Sequence, residues 1–315
     1  MSDQDAAGPD VAKSTSEQKY VVVPMPAGPA FKVEITPQEY DDLVTAVEAL
    51  IHSVDIEEKF NGIILNYADI ERLIFDYTLR ELMGEDRSNV EAHQFRTDLS
   101  RQLLNFLASV RLYQDSIQHH SKGITGKEDA WSHVEHLTHH VFDGSVHYRI
   151  MAGLRNYAQH SALAVHGYSI GRSWNPSGDF LDFEMKPYIR VTDLARDPTF
   201  RRKTIDELRQ GPDELPLKPM IRSYVESLAG LHGKFRAMTS GSLWQHHQQI
   251  LSVRNRVESV TQLEQLDYLL AYPVDEAGSQ TADGINVLKT LDDYVKFLHD
   301  RNRDLQNFAK RRVRY

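Results

Sequence analysis

The sequence predicts a mainly α protein, a bundle of long helices with a small inserted β-hairpin. Two segments, at about residues 56–83 and 88–123, keep apolar side chains at helical spacing for roughly thirty residues each. Helices of that length bury their apolar stripes against one another, as in a bundle. A third observation comes from residues 164–189, where β-branched and aromatic residues lie on both sides of the turn sequence N-P-S-G.

The amino-terminal region combines a polar tail with a short hairpin. Residues 1–19 are rich in Asp, Ser, Ala and Gly, and we expect a disordered tail there. Two short β-type runs, at 20–23 and 31–35, are separated by a proline-rich segment. This arrangement predicts a β-hairpin.

Capping signals mark the starts of the long helices. Thr36, Pro37 and Glu39 supply an N-cap, a proline at the first helical position and a capping box, so a helix is expected from there through Ile51. A separate helix is expected from about residue 56 to residue 83.

A second capping box, formed by Ser88 and Glu91, starts the next long helix. We expect that helix to end at Gly123, since glycine commonly terminates helices. Shorter patterns predict further helices at 127–142, 146–160, 199–209, 218–260 and 285–312.

The chain is expected to have two parts. Residues 20–170 form a helical domain with the short amino-terminal hairpin, and residues 171–315 hold the β-hairpin and the carboxyl-terminal helices. The second part is either separate from the first or continuous with it. Any boundary is expected between Gly171 and Pro219, where the pattern changes and turn residues gather.

The composition excludes several classes of protein. None of the 315 residues is cysteine, which removes disulfides, thiol nucleophiles and cysteine-ligated zinc. The sequence contains no phosphate-binding P-loop, no glycine motif for dinucleotides and no nucleophile elbow. It begins without an apolar leader and lacks a run of about 18 apolar residues, so we expect a cytoplasmic protein without a membrane segment.

The net charge of −9 argues against a surface devoted as a whole to nucleic acid. Affinity for nucleic acids depends mainly on Lys and Arg side chains that neutralise phosphates. Basic residues are nevertheless concentrated at 201–203 and 310–314. A basic cleft on an acidic protein can still bind RNA, because local charge decides the contact.

The segment 146–160 carries the clearest functional signal. Its apolar residues recur every four positions and form one helical stripe, at Val146, Ile150, Leu154 and Ala158. Arg155, Asn156, Gln159 and His160 lie at roughly 100°, 200°, 140° and 240° from Leu154, on the opposite face. Arg155 and His160 are therefore about 140° apart around the helix axis. Side chains so placed on a single straight helix cannot both contact one small ligand group.

Arg155, Asn156 and His160 resemble the Arg-Asn-x3-His signature of the HEPN superfamily, helical proteins that include many metal-independent endoribonucleases of toxin-antitoxin and phage-defence systems. The resemblance implies that Arg155 holds the scissile phosphate, His160 transfers protons, and Asn156 orients its neighbours or the RNA. It also implies a homodimer in which two motifs meet, no cofactor, and control by a protein antitoxin or another regulator.

Three further side chains near the motif are candidates for contacts with RNA. Tyr148 and Tyr168 could stack on bases, since such stacking is worth about 1–3 kcal/mol per base. Gln159 shares the polar face with the motif. Tyr157 is expected in the core instead, because it is three residues from Leu154 on the apolar side.

Two alternatives stay open. The first is a non-catalytic helical binding or regulatory protein, whose polar face serves a protein contact or solvent; the acidic charge favours it. The second is a metal site on the segment 127–142, where imidazoles share one helical face and a carboxylate, Glu135 or Asp143, lies close in sequence. The three imidazoles are those of His133, His136 and His140.

Overall fold

The computed structural model describes residues 18–25, 31–84, 88–198, 200–263, 266–303, 305 and 307–311. Helices dominate these residues and two small antiparallel sheets accompany them, so the prediction of a mainly α fold with a β-hairpin is confirmed. The disordered tail is expected at residues 1–19, and residues 1–17 of it lie outside the described part of the chain. Lys19, the last residue of the expected tail, belongs to a strand.

Helix α1, Pro37–Leu82, begins as its capping signals predict. The Glu39 amide donates a hydrogen bond to Thr36 Oγ1 at 3.1 Å, and the Thr36 amide donates to Glu39 Oε2 at 2.8 Å. The helix then runs without interruption, so the separate helices expected on either side of residues 52–55 are one. No glycine or proline lies in that stretch to stop it.

Helix α2, Asn89–Thr125, starts at the predicted capping box. Its end differs from the prediction: the helix continues through Gly123 and stops at Gly126, which has the left-handed φ of 66°. Gly123 is inside the helix because its missing side chain makes room for the imidazole of His52.

Helices α3, Ala130–Gly144, and α4, Val146–His160, follow close to their predicted positions. Ser145 separates them, and its Oγ accepts a hydrogen bond from the Tyr148 amide at 3.2 Å. This cap fixes the start of α4 and thereby the direction of every side chain on it.

Strands β3, Gly167–Trp174, and β4, Leu181–Arg190, form the predicted hairpin. A third strand that the sequence did not predict, β5 at Glu214–Pro216, pairs with β4 and gives the order β3-β4-β5. Three helices in this half of the chain are α5, Val191–Leu194; α6, Arg202–Leu208; and α7, Leu217–Thr261.

The second sheet pairs strands from near the amino terminus with strands from residues 268–288. Its strands are β1, Lys19–Pro24; β2, Val33–Ile35; β6, Tyr268–Val274; and β7, Ile285–Leu288. The order is β2-β1-β6-β7, with every neighbouring pair antiparallel. The predicted amino-terminal hairpin is confirmed, whereas β6 and β7 were missed.

The predicted terminal helix at 285–312 is wrong at its start. Residues 285–288 form β7, and helix α8, Lys289–Arg301, begins only after it. A short 3-10 helix at Phe308–Lys310 follows. Because Ile285 and Val287 face a neighbouring strand, their apolar character reflects sheet pairing and not a helical stripe.

The contacts divide the chain into two compact units. One comprises Met1–Val47 and His246–Lys289, and the other comprises Glu48–Gln245 and Thr290–Tyr315. This division differs from the expected boundary between residues 171 and 219, because β1 pairs with a strand about 250 positions later. The second unit contains the large apolar core, with side chains from α1, α2, α4 and α7. None of the described helices has the length and apolar content needed to cross a bilayer.

Candidate anion-binding site on helix α4

Helix α4 has the two faces that the sequence predicts. Its apolar residues are buried at Ile150, Met151, Leu154 and Tyr157. Asn156, Gln159 and His160 are exposed, and Arg155 is half-buried at the edge of the core. The buried stripe fixes the rotation of the helix, so the polar side chains face outward and sideways from the core.

A cavity of about 270 Å³ lies beside α4 in the second unit. Helices α2, α3, α4 and α7 and residues 200–201 line it. Among its described lining residues none is Asp or Glu, and four are arginines: Arg111, Arg149, Arg155 and Arg201. Four guanidinium groups around one cavity favour an anionic ligand with several oxygen atoms.

Two of these arginines are balanced by carboxylates outside the cavity. Arg149 Nη2 donates to Glu207 Oε2 at 2.7 Å, and its Nη1 donates to the Asp143 carbonyl at 2.8 Å. Arg111 Nη2 is 2.9 Å from Asp115 Oδ1 on the surface of α2. These pairs hold the two guanidinium groups in place and leave further N–H donors available.

The other two arginines form no ion pair with a carboxylate among the described residues. Arg155 Nε is buried and has no hydrogen-bond partner there. The Arg201 guanidinium carbon lies 4.6 Å from the centre of the Phe142 ring. A buried donor without a partner costs about 1–3 kcal/mol, and Arg155 is held at the cavity wall without a compensating carboxylate from the described residues.

Gly153 sets the distance between α4 and the segment that carries Arg201. A side-chain carbon at residue 153 would lie 2.7–3.1 Å from atoms of the Phe200 ring. Contacts that close are repulsive, so only glycine lets the ring rest directly on the helix. This approach places Arg201 on the same cavity as Arg155.

Tyr148 does not occupy the position expected of a base-stacking residue. Its side chain is 1% exposed, because it faces the core. Its stacking on RNA bases stays a prediction. Burial raises the pKa of Tyr148 to about 12. Its hydroxyl accepts a hydrogen bond from Gln114, and its ring packs edge-on against Tyr224 at 4.7 Å. Both partners line the cavity, so Tyr148 packs against residues of its wall.

The remaining RNA-contact candidates lie outside the cavity lining. Tyr168 is half-buried, and its ring is edge-on to Phe95 at 4.9 Å. Gln159 is exposed. Their contacts with RNA stay predictions.

The three motif residues are divided between two places. Arg155 and Asn156 line the cavity, whereas His160 is exposed as the last residue of α4 and does not line it. The separation follows from helical geometry, since five residues correspond to about 140° of rotation and 7.5 Å of rise. A single chain therefore presents the cation and the imidazole on different surfaces.

No family model, curated protein or solved structure matches this chain. The resemblance of Arg155, Asn156 and His160 to the HEPN signature therefore stays a prediction that rests on those residues.

The histidines of α3 do not come together as a metal site. His133, His136 and His140 are exposed, and the described residues contain no metal-binding group that includes them. His133 Nδ1 is instead 2.9 Å from the Asp129 carbonyl oxygen. Residues seven positions apart on a helix are separated by about 10 Å along its axis, too far to share one ion.

Proposed function

We propose that this protein binds the phosphate backbone of RNA at the arginine-lined cavity and cleaves the RNA without a metal ion. The observation that carries the proposal is a cavity lined by four arginines and by no carboxylate among the described residues, in which Arg155 and Arg201 form no ion pair with a described carboxylate. Arginine binds phosphate oxygens through paired N–H donors. Arg155 and Arg201, which no described carboxylate balances, leave the cavity positive on an otherwise acidic protein.

The proposed reaction is an internal transfer of the phosphate. The RNA 2′-oxygen forms a bond to the adjacent phosphorus while the bond from phosphorus to the 5′-oxygen breaks. One general base removes the 2′ proton and one general acid protonates the leaving 5′-oxygen, which leaves a 2′,3′-cyclic phosphate and a 5′-hydroxyl end. The imidazole of His160 is suited to transfer these protons. The guanidinium group of Arg155 is suited to stabilise the negative charge that develops on the phosphorane.

This chemistry requires a second copy of the chain. His160 lies outside the cavity of its own chain, whereas the exposed end of α4 is available to a neighbouring α4. In a symmetric dimer each cavity receives the imidazole of the other chain, since both copies use the same surface. We propose that this homodimer acts in the cytoplasm as a toxin or defence effector under the control of a protein regulator.

The direct test is cleavage of total RNA by the purified protein in the presence of a chelator. Wild-type protein should yield fragments with cyclic phosphate ends, and both Arg155→Ala and His160→Ala should yield none. His93→Ala is a matched control, since His93 is exposed on α2 and follows Arg87 at a similar spacing without a role in the proposal. Full activity in both motif variants would contradict the mechanism.

A second candidate function is the binding of a phosphate-bearing ligand without cleavage. The position of His160 outside the cavity favours it, because the described lining residues then supply cations but no imidazole or carboxylate. This alternative predicts that wild-type protein binds RNA or phosphate through Arg155 and produces no fragment ends.

A further inference from the structure

We propose that His52, Asp55 and His120 form a binding site for a divalent transition metal ion, Zn²⁺ first among them. One ligand atom from each side chain lies within 4.8 Å of the other two. The Nδ1 atoms of His52 and His120 are in hydrogen-bond contact at 2.7 Å, and the other nitrogen of His120, Nε2, is 3.9 Å from Asp55 Oδ2; an ion would replace the contact between the rings and take one nitrogen from each. Among the residues that the structure describes, this is the one group of three such side chains whose ligand atoms converge.

Two packed helices build the group. His52 and Asp55 are three residues apart and lie on one face of α1, while His120 reaches them from α2. Helical bundles build metal sites in this way, with two ligands at such spacing on one helix and another from its neighbour. All three side chains are half-buried, so the helix packing restricts their rotamers before any ion binds.

Gly123 supports the position of the His52 ring. A side-chain carbon at this residue would collide with the imidazole of His52. Glycine inside a helix is less favourable than alanine, and here it lets the ring lie against α2 beside His120. The ring centres of the two histidines are 4.7 Å apart as a result.

The donor set matches a transition metal with an open coordination position. Two imidazole nitrogens and one carboxylate are typical ligands of Zn²⁺ and of other first-row divalent ions. Ligand nitrogens around a tetrahedral zinc ion lie about 3.3 Å apart, so a small rotation of the two rings admits the ion. The Asp55 side chain is 42% exposed, which leaves a path for the ion and for a water molecule as the fourth ligand.

The proposed metal site is separate from the proposed RNA site. None of its three residues lines the arginine cavity. RNA cleavage in chelator and metal binding are therefore independent measurements, and either result can fail without the other.

The test is a titration of the metal-free, full-length protein with Co²⁺, followed by its visible absorption, together with calorimetry using Zn²⁺. Wild-type protein should bind one equivalent of Co²⁺ with the absorption bands of a low-coordinate site. Asp55→Asn and His120→Ala should each weaken Zn²⁺ binding by at least about 10-fold. A control that replaces His133, His136 and His140 with alanine should retain the one-equivalent site.

The variants separate loss of ligands from loss of fold. Asp55→Asn keeps the shape of a partly exposed side chain, and circular dichroism should show unchanged helix content. No absorption with wild-type protein would overturn the proposal, as would equal affinity in wild type, Asp55→Asn and His120→Ala. Loss of binding in the control triple variant with retention in His120→Ala would likewise overturn it, because the ion would then bind on α3.

Discussion

Glu57 accepts two hydrogen bonds from Arg236, from Nε to Oε1 at 2.7 Å and from Nη2 to Oε2 at 2.5 Å. The carboxylate is only 5% exposed. His232 Nε2 lies 3.2 Å from the same Oε1, and His232 Nδ1 is 2.9 Å from the Tyr113 hydroxyl. This buried network links α1, α2 and α7 within the apolar core, where an unbalanced charge would be very costly.

Arg236→Met should destabilise the protein by about 3–5 kcal/mol, because it leaves the Glu57 carboxylate buried without its cation. The double change Glu57→Leu with Arg236→Met should recover most of that loss, since it removes both charges. Unfolding in urea measures both effects. Arg72→Ala is the control: Arg72 forms an exposed pair with Asp69 at 2.7 Å, and its loss should cost no more than about 1 kcal/mol. Equal costs for Arg236→Met and Arg72→Ala would contradict this account.

Acid should weaken the fold through Glu57. Burial alone raises the pKa of this carboxyl, but hydrogen bonds and charges from Arg236 and His232 outweigh burial and hold the pKa at about 2, below its ordinary 4.5. A carboxyl with a lowered folded pKa stabilises the protein above its unfolded pKa and loses that contribution as the pH falls through the folded pKa. The free energy of unfolding should drop by on the order of 3 kcal/mol between about pH 4.5 and 2. The Glu57→Leu, Arg236→Met double variant should lack this part of the pH dependence. If the free energy of unfolding falls equally steeply with pH in the wild type and in the double variant, Glu57 is not the group responsible.

Gly153→Ala should disturb the arginine cavity. The added methyl group meets the Phe200 ring, which must shift together with Arg201. We expect a loss of about 1–3 kcal/mol in stability and weaker phosphate binding by calorimetry. Gly62→Ala is the matched control, since residue 62 in α1 has no neighbour within 4 Å of the added atom and should gain up to about 1 kcal/mol. An equal gain in stability from Gly153→Ala and Gly62→Ala would contradict the close packing of the Phe200 ring on residue 153.

Arg155→Ala should weaken the binding of single-stranded RNA and change its salt dependence. Each phosphate contact that is lost lowers the slope of log K against log salt by about 0.7–0.9. Fluorescence anisotropy at several salt concentrations measures this slope. Arg101→Ala removes an exposed arginine of α2 outside the cavity and should leave the slope unchanged. Identical slopes for wild type and Arg155→Ala would place the RNA elsewhere.

Local signals predicted most of the helical architecture. The cap formed by Thr36 and Glu39, the capping box of Ser88 with Glu91, and the apolar stripe of α4 act over a few residues, so the sequence shows them directly. Strands β6 and β7 were missed because their pairing depends on residues far away in sequence. Val21 and Tyr272, for example, lie opposite each other across two strands.

The candidate sites depend even more on contacts between distant segments. Arg155 and Asn156 stood out from their motif, but nothing local marked Arg111 or Arg201 as their neighbours across the cavity. His52 and His120 are 68 positions apart and meet only when α1 packs on α2. The histidines close together in sequence, His133, His136 and His140, were the more visible signal. They lie along one face of α3, where the rise of the helix separates them.

The most direct test of the proposed nuclease mixes its two inactive variants. Arg155→Ala and His160→Ala, each inactive alone, should regain about a quarter of the wild-type cleavage rate when mixed in equal amounts, because half of the dimers are mixed and each of those has one complete site. The measurement is the appearance of cyclic phosphate ends in chelator after subunit exchange. Cleavage by wild type with no recovery in the mixture would contradict a site shared between two chains. Full cleavage by either variant alone would contradict the roles given to Arg155 and His160.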